Sequence, residues 1–157
     1  MKMELYLLRH VDADTVAETD DARPISEKGE GQGEKVARFC ESHGLARMRV
    51  LSSPVLRARQ TAEIVVAHLG LELEVAPWLS CGMRPAEAMQ HLQEYAGETA
   101  VMIVGHEPDF STLAAFLLGM ASGEQIEIRK ASLTGMTVTS LEKGGARLDF
   151  SVPCRLM

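Results

Sequence analysis

Arg9-His10, Arg57 and Gly105-His106 are the residues of this 157-residue chain whose types could do chemistry together. Arginine presents a planar fork of donors that matches phosphate oxygens, and it stays charged when partly buried. A neutral imidazole attacks phosphorus if its other nitrogen is held as N–H by a backbone acceptor, which fixes the tautomer. Cations around it stabilise charge on the equatorial oxygens of the phosphoryl group in transit. Two arginines with two histidines therefore point to phosphoryl transfer, in which the arginines do the neutralising and neither a metal nor a cofactor is expected. The competing use of two histidines is metal binding. The separation of His10 from His106 is not a short ligand motif, and two arginines beside a divalent cation would repel it. His43, His68 and His91 fall on polar stretches and are expected on the surface, and Asp12 and Asp14 read as loop anions.

For these residues to act together, separate strands must deliver them to one place. Met3 to Leu8 is an apolar run broken only by Glu4, a buried strand that stops at Arg9-His10. Met48 to Ser52 is a second strand, after which Ser53 as cap and Pro54 at the first helical position open a helix to about Leu69, with Arg57 in its first turn. Ala100 to Val104 is a continuous apolar strand ending in Gly105-His106. In an open α/β sheet, ligands bind at the carboxyl ends of the strands.

The remaining pattern alternates in the same way. Ser26 caps a helix from Glu27 to Ser42 whose Gly29, Gly33, Val36, Ala37 and Cys40 form one small-residue face. Leu71 to Val75 reads as a half-exposed edge strand, Pro85 to Tyr95 and Phe110 to Leu118 as helices. Ile126 to Ile128, Ser132 to Leu141 and Ala146 to Val152 read as strands, the last two joined at Glu142-Lys143-Gly144-Gly145 by a hairpin turn. The expected fold is a single α/β domain over residues 1–157: a three-layer sandwich with a mostly parallel central sheet, helices on both faces and a C-terminal β-hairpin.

A net charge of −6 argues against a nucleic-acid partner, which would need a basic face, but leaves room for a local cationic pocket. No apolar run approaches the roughly 20 residues needed to span a bilayer, and the N-terminal apolar stretch is too short for a secretory leader. Three scattered cysteines, Cys40, Cys81 and Cys154, suit reduced thiols and a cytoplasmic setting, each read as a small buried hydrophobe. Cys81-Gly82-Met83-Arg84-Pro85 is a poor version of the phosphate loop that a cysteine nucleophile would want.

Leu7-Leu8-Arg9-His10 resembles the Arg-His-Gly motif of the histidine phosphatase superfamily, whose members share a phosphoglycerate mutase-like fold. Ser52-Ser53-Pro54-Val55-Leu56-Arg57-Ala58-Arg59-Gln60-Thr61-Ala62 is similar to its second signature, and Val104-Gly105-His106-Glu107-Pro108 to its third. The short chain, and Arg23-Pro24-Ile25-Ser26 followed by Gly29, look most like the SixA-type branch of phosphohistidine phosphatases. Ser80-Cys81-Gly82 and Val152-Pro153-Cys154 also resemble positions of that branch. The resemblance implies that His10 is phosphorylated during turnover, that Arg9, Arg57 and His106 hold the phosphoryl group, and that Arg23 reaches the pocket rim.

Two positions depart from the family pattern. Val11 stands where a glycine often follows the Arg-His pair. Trp78-Leu79-Ser80-Cys81-Gly82 carries no acid where many relatives place a proton-donating glutamate. General acid catalysis matters most for poor leaving groups such as alkoxides, whereas an imidazole leaves with less help. The missing acid therefore favours a phosphohistidine-bearing protein as substrate, such as a phosphotransfer domain or phosphocarrier, over a small phosphate ester. Glu107 is the candidate acid, with helix N-terminal charge as its other reading. Two rival functions stand beside this one: a broad small-molecule phosphomonoesterase and a non-catalytic phosphoprotein-binding module.

Overall fold

The computed structural model of the protein describes residues 1–157. Its sheet is built around β4 (Ala100–Gly105), a strand without a charged residue and buried at every position. β1 (Met3–Arg9) lies beside it in parallel. β2 (Arg49–Ser52) and the edge strand β3 (Leu73–Val75) extend the sheet on the other side, also in parallel. Beyond β1 come β5 (Leu133–Val138) and β6 (Ala146–Val152), for an order β3-β2-β4-β1-β5-β6.

The pairings of β5 with β1 and of β6 with β5 are antiparallel, so the sheet is mixed where a mostly parallel one was expected. A parallel neighbour needs a crossover connection, usually a helix. None lies between residue 118 and β5, and the short 139–145 loop can only reverse the chain. That loop is the expected hairpin, closed by Gly145 N–H donating to the Glu142 carbonyl.

Alternation along the strands divides the core into two layers. Met3, Leu5, Leu7, Val101 and Ile103 face α3 (Pro85–Leu92) and α4 (Asp109–Leu117). Tyr6, Leu8, Met102 and Val104 face α1 (Glu27–Ser42) and α2 (Leu56–Leu69). The expected small-residue face of α1 is buried throughout, and Ser26 caps that helix by accepting the Gly29 N–H at 3.0 Å. Gly29 also sits at a close approach. A Cβ there would stand 2.1 Å from the Asp12 carbonyl oxygen, so only glycine lets α1 lie against the loop that follows His10.

Three expectations need correction. Ile126 to Ile128 forms no strand. Both sides of β1 are already paired, by β4 and β5, and the Ile128 carbonyl instead accepts from the Arg9 guanidinium at 2.9 Å. The helix after β2 begins at Leu56, so Ser53 does not cap it and Pro54 precedes it. Cys81 is exposed, whereas Cys40 and Cys154 are buried and all three thiols are free.

Candidate active site

Strand register carries the candidate residues to one end of the sheet. Arg9 pairs with Gly105 across β1 and β4, and Ser52 with Val104 across β2 and β4. His10 N–H donates to the Gly105 carbonyl and Ser53 N–H to the Val104 carbonyl, each at 3.0 Å, so the chain stays in register just past the strand ends. His10 and His106 thus stand side by side with ring centroids 5.5 Å apart. Arg57 enters from the first turn of α2 and is 6% exposed.

The tautomer of His10 follows from its partner. Nδ1 lies 2.8 Å from the Val11 carbonyl oxygen, which can only accept, so Nδ1 carries the proton and Nε2 keeps a lone pair. Burial first, then the charges of Arg57, His106 and Arg9, push the imidazole down to about 3, so it is neutral near pH 7. Val11 is itself buried and donates its N–H to Thr61 Oγ1 at 3.1 Å. Thr61 in turn donates to the Arg57 carbonyl at 2.7 Å, which ties the loop after His10 to the first turns of α2.

His106 is held from the other side. Its Nε2 lies 2.8 Å from Ser53 Oγ, and that oxygen accepts the Val55 N–H at 3.1 Å. Ser53 therefore has its hydroxyl proton to give to Nε2, which leaves Nδ1 as the N–H of the ring. Burial, then Arg57, push His106 down to about 4. Of all buried side-chain nitrogens and oxygens in the chain, two make no hydrogen bond: His106 Nδ1 and Arg9 Nε. Buried donors almost always have partners. Two orphans on neighbouring residues, beside Arg57, mark a place built to receive an acceptor from outside the chain.

Arg57 does have a partner, and sequence reasoning missed it. Its Nη1 donates to the Asp20 carbonyl at 2.9 Å and its Nη2 to Asp20 Oδ2 at 3.1 Å. Arg23 holds the other carboxylate oxygen at 2.9 Å, while its Nε donates to the Asp14 carbonyl. Arg23, then Arg57, keep the Asp20 carboxyl below the usual carboxylate range. Asp20 is thus an exposed anion laid on the buried guanidinium. Arg23 touches Asp20, and its link to Arg57 runs through that carboxylate. The signal for Asp20 was its place three residues before Arg23, hidden in what reads as a generally acidic loop.

Carboxylates elsewhere are engaged in structure. Glu107 Oε1 accepts the Ser111 N–H at 2.6 Å, in the first turn of α4. Asp109, 8% exposed, accepts the N–H groups of Gly82 and Met83 and so anchors the 80–83 loop. That loop brings Cys81 Sγ to 4.0 Å from Arg57 and contains no acid. His43 and His68 are exposed and His91 is half-buried at the surface. No group of three or more His, Cys, Asp or Glu side chains is clustered as a metal site, and no helix is long and apolar enough to cross a membrane. The assembled group can present one nucleophilic nitrogen and two guanidinium groups to a tetrahedral anion.

Residues 5–80 match the profile of the Histidine phosphatase superfamily (branch 1). An uncharacterized protein of Picosynechococcus is 34% identical over 155 residues, covering 94% of this chain and 89% of that protein. The phosphohistidine phosphatase SixA of Escherichia coli is 31% identical over 159 residues, covering 98% of this chain and 96% of the relative. A solved structure of the protein histidine phosphatase SixA complexed with tungstate superposes with a TM-score of 0.88 at 27% identity, covering 99% of this chain and all of that one.

Proposed function

The chain belongs to the histidine phosphatase superfamily, in its SixA-type branch, and on that premise we propose that it removes phosphate from protein-borne phosphohistidine through a phosphorylated His10. The observation that carries the proposal is the pair of orphaned buried donors, Arg9 Nε and His106 Nδ1, flanking a histidine whose Nε2 is free and unprotonated.

In the proposed reaction, the lone pair of His10 Nε2 attacks phosphorus and the phosphorus–nitrogen bond to the substrate imidazole breaks. The substrate ring leaves neutral, carrying a proton on one nitrogen and the bonding electron pair on the other. Arg9, Arg57 and His106 hold the three equatorial oxygens while charge shifts across them. A water molecule then attacks the phosphorus of phospho-His10, the bond to Nε2 breaks, and inorganic phosphate leaves with the neutral imidazole restored. The arginines supply the neutralisation, so no metal ion takes part in the proposed steps. Asp20 leaves Arg57 when the phosphoryl group arrives, and Arg23 stays with it at the rim.

The substrate assignment rests on the missing acid. The 78–82 segment has none, and Glu107 is engaged as the acceptor for Ser111 N–H in the first turn of α4. An alkoxide would leave such a site slowly and an imidazole would not. A phosphotransfer domain or phosphocarrier is the fitting partner, in a reducing cytoplasm where the three thiols stay free. The test compares turnover of a phosphohistidine-bearing protein with that of an aliphatic phosphate monoester. A preference of at least about a hundredfold for the former is expected, a factor within the reach of a missing general acid. Equal turnover would overturn the substrate assignment.

A further inference from the structure

The site just described uses one of the cations gathered on that side of the molecule and leaves five unexplained. Arg9, Lys28, Lys35, Arg129, Lys130 and Arg155 line a single cavity of about 690 Å³. They come from four separate segments: the end of β1, the outer face of α1, the stretch before β5, and the C-terminal 3₁₀ turn Cys154–Leu156. One carboxylate, Asp12, shares the cavity, and it is occupied by Lys130 at 3.2 Å and Ser26 at 2.6 Å. Arg129 pairs with Glu127, but Arg9, Lys28, Lys35 and Arg155 stand within 4 Å of no carboxylate. In a chain of sixteen basic and twenty-two acidic residues, this is a concentration of positive charge against the global balance. The wall at Gly31 is open as well, since no atom lies within 4 Å of where its Cβ would stand.

We propose that this cavity is a second anion site, which takes a small polyanion carrying two or more phosphate groups. Charge and size favour a small ligand: cations from four segments border one hollow of the volume that holds small molecules, so a compact polyanion can reach several of them at once. A single phosphate would leave most of the four unpaired cations unmatched, and a chain of phosphates spans them. Arg9 lines this cavity and the phosphoryl site alike, so the two sites are adjacent but do not share His10, Arg57 or His106. The proposal does not rest on His10 being the nucleophile, and its test reads binding alone.

The test is calorimetric titration of the whole chain with sodium tripolyphosphate, first alone and then with the phosphoryl site saturated by orthovanadate. A saturable site that persists with vanadate bound is expected, weakening as salt is raised. Lys35→Glu with Arg155→Glu should weaken it at least about tenfold through lost charge-assisted bonds, and Gly31→Glu, which adds a carboxylate where a Cβ meets open space, should weaken it as well. Each variant should unfold at the wild-type temperature. Absence of saturable binding, complete displacement by vanadate, or wild-type affinity in these variants would overturn the proposal. Equal or tighter binding of a polyglutamate peptide would also overturn it, assigning the cavity to an acidic protein surface.

Discussion

At the residue scale, the site is a set of side chains each held for one purpose, and the purposes separate by mutation. Asp20 lies on Arg57 as a carboxylate in place of phosphate, so the incoming anion must displace it. Asp20→Asn keeps the size and removes the charge. It should tighten inhibition by tungstate and lower KM, by roughly tenfold if a charge-assisted bond is exchanged for a neutral one. Unchanged inhibition would mean that Asp20 does not compete. Ser53 acts through another residue, as a positioning group that sets the tautomer of His106. Ser53→Ala should lower kcat/KM about tenfold, the usual cost of losing a group that orients a site histidine, while Ser53→Thr, which keeps the hydroxyl, restores it. Glu107 offers a sharper division. If it is only the acceptor for Ser111 N–H, Glu107→Gln leaves phosphohistidine turnover near wild type and lowers thermal stability slightly. A large loss on phosphohistidine would make Glu107 the acid after all.

Elements place these residues, and one close contact among them is α1 against the loop after His10. Gly29→Ala would drive a Cβ to 2.1 Å from the Asp12 oxygen, so helix or loop must shift. Overpacking of this kind costs about 1–3 kcal/mol, to be read as a fall in melting temperature with a loss of activity, since the loop also carries the Val11 carbonyl that fixes the His10 tautomer. A variant as stable and active as the wild type would show that the contact relaxes freely. Much of this level was legible in the residues alone. The apolar runs ending in Arg9-His10 and Gly105-His106 gave strands β1 and β4, and the glycines of α1 gave its buried face. What escaped was set by competition between distant partners. Ile126 to Ile128 has the composition of a strand, but β1, the strand it lies against, is already paired on both sides. Ser53-Pro54 has the form of a helix start, but the serine hydroxyl is drawn to His106, 53 residues away. Asp20 escaped for the same reason: an acidic loop residue shows nothing of the guanidinium it will meet.

At the scale of the whole molecule, the site makes stability depend on pH. His10 and His106 are held near 3 and 4, below the 6.5 of a free imidazole. Above pH 6.5 both folded and unfolded chains carry them neutral, and this contribution is fully present. As pH falls below that value the unfolded chain takes up protons that the folded one refuses, so stability is lost down to the folded values. The slope approaches about 1.4 kcal/mol per pH unit for each imidazole. His106→Gln should flatten the dependence of denaturant midpoint on pH between 6.5 and 4, and an unchanged slope would contradict the buried neutral pair. The sheet brings two histidines and two arginines to one end, and the event proposed there is transfer of a phosphoryl group onto His10 Nε2. Rapid quenching of the protein with a radiolabelled phosphohistidine substrate, followed by alkaline peptide mapping, observes that event. The account predicts acid-labile, alkali-stable phosphate on the peptide bearing His10, absent from His10→Ala. Release of phosphate by wild type with no label on that peptide at any time would contradict it.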